Sequence, residues 1–186
     1  MKKAAGILLA LLLLSSVTVA QESEFTILTK ITALDSGPPE SEDPMAGLAL
    51  QPEERTQLES LSKERLDALL LQAVILRRPC ASIEFLEAGA DPNGFGRAMG
   101  RPLWFASESQ TDELVRLLLL YGADPNLVPD DGNTALMCAA RHGRAPIVRA
   151  LLDAGADFNC WDRDGNTALD YAVAGKHDAC IEMLVP

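Results

Sequence analysis

The 186-residue sequence is poor in aromatic and in basic residues. Aromatic residues make up only 5% of the chain, so the core must depend on Ala and Leu, which suits thin helical layers packed closely together. The 16 basic residues are outnumbered by 27 acidic ones, giving a formal net charge of −11. Phosphate binding needs clustered Lys and Arg, so we expect no nucleic-acid partner. We interpret the acidity as a source of solubility, with a basic partner surface as the alternative.

Sequence motifs that support catalysis are also missing. The chain has no His-Glu-x-x-His, no nucleophile elbow, no phosphate-binding glycine loop and no Cys-x-x-Cys. Its two histidines, His142 and His177, are at non-equivalent positions of the repeat described below. Asp162 and Asp164 are close in sequence, but acids in such a loop are expected turn formers. We therefore expect no enzymatic activity, no cofactor and no metal site.

The four cysteines have spacings that match no zinc module. Cys180 and Cys138 lie in apolar helical patterns, so we expect both to be buried as small hydrophobic residues. Cys160 lies in a loop and is expected to be the most accessible, whereas Cys80 carries no assignment. A disulfide between one pair would suit an exported protein, but the sequence does not determine whether one forms.

Residues 1–20 have the three parts of a secretory signal peptide. Two lysines precede an apolar run of eleven residues, Ala4–Leu14, and small residues lead to Ala20. That run is shorter than the ~20 residues of a membrane-spanning helix, so we expect cleavage after Ala20 and no membrane span thereafter. An uncleaved anchor is the alternative. The pattern predicts a periplasmic or secreted protein, and residues 21–50 are expected to be a flexible tail or, alternatively, a docked segment.

An internal repeat dominates the rest of the chain. Gly-Ala-Asp begins at Gly89, Gly122 and Gly155, with a spacing of 33 residues both times. In each period a Leu and Ala stripe at helical spacing is followed by a second amphipathic stretch and then by the Gly. Thr134 and Thr167 are predicted helix caps, and the Gly residues are predicted left-handed helix ends. Each unit is therefore predicted to be helix, turn, helix and long loop.

The segments Asp131–Gly143 and Ile147–Asn159 closely resemble the ankyrin repeat. The resemblance covers about residues 66–186, and it implies an all-α ankyrin-repeat solenoid of stacked helix–turn–helix units with projecting β-hairpin loops, here called fingers. It also implies a protein-binding role. We place the domain at 51–186, with a divergent cap and three repeats. The cap is assigned to about 51–93, and the repeats to about 94–126, 127–159 and 160–186.

Two units depart from the family pattern. Arg101 stands in place of the capping Thr, although Pro102 suits the first helical turn. Gly175 comes one residue early relative to Gly143. The cap is predicted to contain helices at 66–76 and 80–88, preceded by a polar helix at 51–63, because the end of a solenoid needs a polar outer face.

The resemblance also indicates a candidate partner-binding surface. Phe95, Val128 and Trp161 recur 33 residues apart at a finger position that most ankyrin repeats leave variable. The alternative is that they pack against neighbouring fingers and stiffen the loops. The other predicted contact residues occupy variable positions on the fingers or the inner helix ends: Arg97, Trp104, Glu108, Asp130, Asp131, Asn133, Arg141, His142, Arg163, Asp164 and Asn166.

Together these features predict a monomeric, exported module that binds a protein partner of unknown identity. An inhibitor or immunity protein is one concrete form of this function. An envelope scaffold or stress-related accessory protein, without one tight partner, is the alternative.

Overall fold

A computed structural model describes Thr56 and residues 58–94, 101–109, 111–128 and 132–185. The chain divides into two compact units, Met1–Ser60 and Leu61–Pro186. Of the first unit, Thr56, Leu58 and Glu59 are helical. The predicted signal peptide, the tail at 21–50 and most of the predicted helix at 51–63 lie outside the described residues.

The described part of the second unit contains helices joined by turns, and it has no β-strand. Eight α-helices follow one another: α1 Lys63–Ile75, α2 Pro79–Glu87, α3 Pro102–Glu108, α4 Asp112–Leu120, α5 Ala135–Arg141, α6 Ala145–Asp153, α7 Ala168–Gly175 and α8 Asp178–Leu184. They form four helix pairs, so the predicted all-α solenoid is confirmed. The helices predicted at 66–76 and 80–88 correspond to α1 and α2. No helix of the described residues is both long and apolar enough to cross a membrane.

Local sequence explains where these helices begin. The hydroxyl of Thr134 accepts a hydrogen bond from the backbone N–H of Met137 at 3.2 Å, as predicted for a cap. Thr167 does the same for Asp170, whose carboxylate accepts from the Thr167 backbone N–H at 2.8 Å. Helix α3 instead starts at Pro102, and Arg101 makes no side-chain capping bond. The helix forms without the Thr cap because Pro fixes φ at the first helical position.

The helix pairs stack in two layers. The inner helices α1, α3, α5 and α7 contact one another in chain order, as do the outer helices α2, α4, α6 and α8. The core lies between the layers and contains fully buried side chains from both, among them Val74, Leu114, Leu118, Leu136 and Ile147. Each pair covers the apolar face of the next, which is why one continuous core forms from short helices.

Side-chain hydrogen bonds join consecutive loops at the 33-residue period. The amide of Asn93 donates to the carbonyl of Gly122 at 3.1 Å and accepts from the backbone N–H of Asp124 at 2.8 Å. Asn126 repeats both bonds to Gly155 and Asp157, at 3.0 and 2.8 Å. We call these four bonds the asparagine ladder. Because each Asn satisfies one donor and one acceptor of the next loop, the ladder fixes the position of the finger bases.

The turn between the inner and outer helix requires a left-handed residue. Gly143 has φ +65° there, whereas Arg77 and Lys176 adopt φ +57° at the equivalent positions. Lys176, not Gly175, therefore takes the conformational role of Gly143. A Cβ at Gly143 or at Gly175 would overlap the His177 ring, so the ring in this position leaves no room for a side chain at either residue. The early Gly175 is thus explained by packing and not by backbone conformation.

Candidate partner-binding surface

Exposed apolar side chains mark the finger column. The side chain of Trp161 is 72% exposed and that of Val128 is 47% exposed, at equivalent positions of consecutive repeats. Burial of a large aromatic side chain at an interface gives more binding energy than most other contacts. Phe95, the third member of the predicted column, lies outside the described residues.

A buried carboxylate holds the finger that carries Trp161. The side chain of Asp162 accepts hydrogen bonds from the backbone N–H groups of Asp164 and Asn166, both at 2.9 Å, and from the hydroxyl of Tyr171. These three donors, Tyr171 foremost, stabilise the carboxylate and lower its pKa. The backbone N–H of Asp162 also donates to the Asn166 carbonyl at 3.0 Å. Trp161 therefore projects from a loop whose next residue is fixed, and the prediction of Asp162 as a turn former is confirmed.

Neighbouring fingers approach each other at Gly132. This residue has φ +83°, and a Cβ there would lie 3.2 Å from the backbone of both Asp162 and Arg163. Any side chain at position 132 would strain its own conformation and press on the next finger. These two loops therefore pack closely at this point, which reduces the entropy that a partner would have to remove on binding there.

The ends of the inner helices supply the charged part of the surface. Arg141, the last residue of α5, places its guanidinium 4.3 Å from the ring centre of Tyr171. The same tyrosine bonds to Asp162, so Tyr171 connects the helix end with the finger. His142 follows, and its Nδ1 lies 2.9 Å from the carbonyl oxygen of Cys138, which holds the exposed ring. Glu108 is the exposed equivalent of Arg141 at the end of α3.

Two apolar residues belong to the same row of inner-helix ends as Glu108 and Arg141, and they were not among the predicted contacts. Ile75 and Leu76, at the end of α1, are 45% and 52% exposed. They precede Glu108 and Ser109 by 33 residues, and those precede Arg141 and His142 by the same interval. The period was therefore sufficient to locate them. Their apolar pattern nevertheless indicates core positions, because apolar residues at the end of an apolar helical pattern are usually buried.

The structure places the predicted contact residues in four groups. Exposed are Glu108, Val128, Arg141, His142, Trp161, Arg163 and Asp164, and half-buried are Trp104 and Asn166. Asn133 is buried, with 6% exposure, because it lies at the finger base directly before the capping Thr134. We therefore correct its assignment and leave it out of the surface. Phe95, Arg97, Asp130 and Asp131 lie outside the described residues.

Trp104 faces the base of a finger more than the open surface. It borders a narrow crevice with Pro92, Asn93, Arg101 and Leu127, and its indole N–H is buried without a hydrogen-bond acceptor. Its ring packs edge-on against Phe105, with 5.1 Å between the ring centres. Only part of this residue can therefore contact a partner.

None of the four cysteines forms a disulfide. Cys138 and Cys180 are buried, as predicted, with 1% and 0% exposure, whereas Cys80 and Cys160 are half-buried. Burial raises the pKa of the Cys180 thiol. Burial and the nearby Asp157 carboxylate raise the pKa of the Cys160 thiol. Among the described residues, no group of three or more His, Cys, Asp and Glu side chains could hold a metal ion.

Comparison with known families agrees with this architecture. Residues 103–186 match the family model described as ankyrin repeats in three copies. The match begins at the second residue of α3 and therefore covers the three helix pairs that follow α1 and α2. No curated protein in the comparison matches the chain.

Proposed function

Because the chain carries an ankyrin repeat array, a fold that indicates a protein–protein interaction module, we propose that it binds a protein partner through its fingers and inner helix ends. The observation that supports this proposal best is the contrast between Trp161, 72% exposed, and Asp162, which is buried and held by three hydrogen-bond donors. A large apolar side chain on a fixed loop loses little entropy on binding.

The proposed contact surface combines the exposed members of the predicted set with the two apolar residues at the end of α1. We name it the recognition surface, and it consists of Ile75, Leu76, Glu108, Val128, Arg141, His142, Trp161, Arg163 and Asp164. Its apolar and charged residues alternate along the array, which favours specific recognition over non-specific association.

We propose that the partner acts outside the cytoplasm. This proposal rests on the signal-peptide pattern of residues 1–20. Expression of the whole chain in a bacterium, followed by fractionation and N-terminal sequencing, tests it. A periplasmic product that begins at Gln21 supports export, and a cytoplasmic product that retains Met1 contradicts it.

A more specific form of the proposal is an inhibitor or immunity protein that blocks a toxin or hydrolase in that compartment. Such a protein forms one tight complex, whereas an envelope scaffold would form several weak ones. Quantitative capture from envelope extract separates the two functions. One partner retained at stoichiometric level supports the inhibitor, and many partners at low occupancy support the scaffold.

Trp161→Ala is the direct test of the surface. We expect partner binding to weaken by about 2 kcal/mol or more, the loss typical of a buried aromatic anchor. Leu120→Ala is the control, because Leu120 is 81% exposed at the end of the outer helix α4 and does not belong to the recognition surface. Both variants should keep the parent's melting temperature. Equal binding by the parent and Trp161→Ala would remove the proposed anchor.

A further inference from the structure

The inner helix ends form a line whose chemical character changes from repeat to repeat. Ile75, Glu108 and Arg141 are each the last residue of an inner helix, and the three helices contact one another in sequence. All three side chains are exposed. Along the array the line therefore reads apolar, anionic and cationic.

The cationic end of this line is fixed and retains unused donors. Arg141 stacks on the ring of Tyr171 at 4.3 Å, which restricts the guanidinium to one region of the surface. The nearby Asp162 carboxylate is already occupied by the Tyr171 hydroxyl and by two backbone N–H groups. Arg141 makes no ion pair with Asp162, and a hydrogen bond to the Tyr171 hydroxyl uses only one of the five guanidinium N–H donors. The remaining donors can meet an incoming carboxylate.

The apolar end adds Leu76 to Ile75, and the two side chains are 52% and 45% exposed. They are the last residue and the C-cap of α1, and the left-handed Arg77 follows them directly. An apolar side chain from a partner would remove both from water, and such burial is the main favourable term in association.

We infer that this line recognises an extended segment of a partner protein that presents an apolar residue, a cation and an anion in that order. The inference rests on the proposed binding function and specifies the partner's chemistry. Packed helices lie about 8–10 Å apart, so neighbouring positions on the line have about this spacing. An extended segment in the polyproline II conformation has three residues per turn and rises about 3.1 Å per residue. Partner residues at positions i, i+3 and i+6 therefore lie on one face of the segment, about 9 Å apart.

Charge complementarity supports an extended segment over a general basic surface. The chain as a whole has a net charge of −11, which attracts any basic partner without selecting a register. The Glu108 and Arg141 pair selects the register because a partner with the two charges exchanged would place like charges opposite each other. The line therefore discriminates among basic partners.

Synthetic peptides test this inference without the natural partner. The probe is acetyl-Leu-Ser-Ser-Lys-Ser-Ser-Asp-amide, and its control exchanges Lys and Asp. Both are also made in reversed sequence, because side-chain contacts alone do not fix the chain direction. Binding to the purified chain is followed by NMR, using the methyl groups of Ile75 and Leu76 and the Nε–H group of Arg141.

We expect one direction of the probe to bind roughly five- to tenfold more tightly than its charge-exchanged control, as two partly exposed ion pairs allow. The double variant Glu108→Arg with Arg141→Glu should reverse this preference. Equal binding of probe and control, or no change at the three residues, would overturn the inference. If the preference is absent while Trp161→Ala still weakens capture of the natural partner, only the segment inference fails and the binding function stands.

Discussion

The turn between an inner and an outer helix requires one residue with a left-handed backbone conformation, and the residue type at this position differs among the repeats. Gly143 meets the need without a Cβ, whereas Arg77 and Lys176 adopt the same conformation at a cost of about 1–2 kcal/mol each. Next to Lys176, Gly175 leaves the space that the His177 ring occupies. The chain thus places its glycine where packing requires it and tolerates strain at the next residue.

Replacing Lys176 with glycine should stabilise the protein. Lys176→Gly removes the left-handed penalty but adds backbone freedom to the unfolded chain, so we expect a net gain of about 0.5–1 kcal/mol in unfolding free energy. Arg116→Gly, on the exposed face of α4, is the control and should lose about 1 kcal/mol. Urea denaturation measures both. A loss of stability in Lys176→Gly would mean that its side chain contributes more than its backbone conformation costs.

The Asp162 carboxylate should make stability depend on acidity. Its pKa is lowered in the folded state, so its contribution is complete above its ordinary pKa of 3.8 and is lost as the pH falls through the lowered value. Asp162→Asn lacks this titration, so its stability deficit relative to the parent should shrink between about pH 5 and pH 2. Urea denaturation across this range is the measurement. Asp164→Asn keeps the backbone N–H that bonds Asp162, so this control should stay within about 0.5 kcal/mol of the parent at neutral pH. A constant deficit in Asp162→Asn across the pH range would contradict the assignment.

At the scale of helices and loops, the asparagine ladder explains how short helices keep a common orientation. No described helix exceeds 13 residues, and helices this short are marginal alone. The bonds from Asn93 and Asn126 couple each finger base to the next, while the helices share one core. Asp67 makes the related contact at the start, accepting from the backbone N–H of Asp91 at 2.7 Å.

Removal of one rung should be measurable because the chain contains its own control. Asn126→Ala deletes two hydrogen bonds, and we expect a loss of about 1–2 kcal/mol in unfolding free energy. Asn159 occupies the next equivalent position, but its side chain makes no ladder bond among the described residues. Asn159→Ala should therefore stay within about 0.5 kcal/mol of the parent. Similar losses in both variants would show that the ladder does not stabilise the stack.

At the scale of the whole molecule, layering decides which cysteines reach solvent. Cys138 and Cys180 lie inside the stack, whereas Cys80 and Cys160 are half-buried. The four thiols therefore differ in solvent access although none of them forms a disulfide.

Thiol titration should reflect this difference. In the folded protein, a disulfide reagent should modify Cys80 and Cys160 first, and Cys138 and Cys180 only after the stack opens, because a buried thiol is inaccessible to the reagent. Mass spectrometry of timed samples identifies the modified residues. Rapid modification of Cys180 in the folded protein, or fewer than four thiols after denaturation without reductant, would contradict this description.

The sequence by itself determined the repeat, its period and its helix pairs. Local signals are sufficient for these features, because Thr134 and Thr167 cap helices through their own neighbours and the Leu and Ala stripe defines a buried face. The period also contained Ile75 and Leu76, although an apolar pattern alone does not separate a helix end from a core position. The three-copy match at residues 103–186 agrees with this assignment.

Only the tertiary structure decided which predicted contact residues are accessible. Asn133 and Trp161 both belong to finger positions by sequence, yet Asn133 is buried and Trp161 is exposed. The sequence also does not reveal that Tyr171 contacts Asp162 and Arg141, or that His177 contacts Arg141, because these partners lie in another loop or repeat. Exposure and such contacts depend on how one helix pair packs on the next, and the spacing of residues along the chain does not specify that packing.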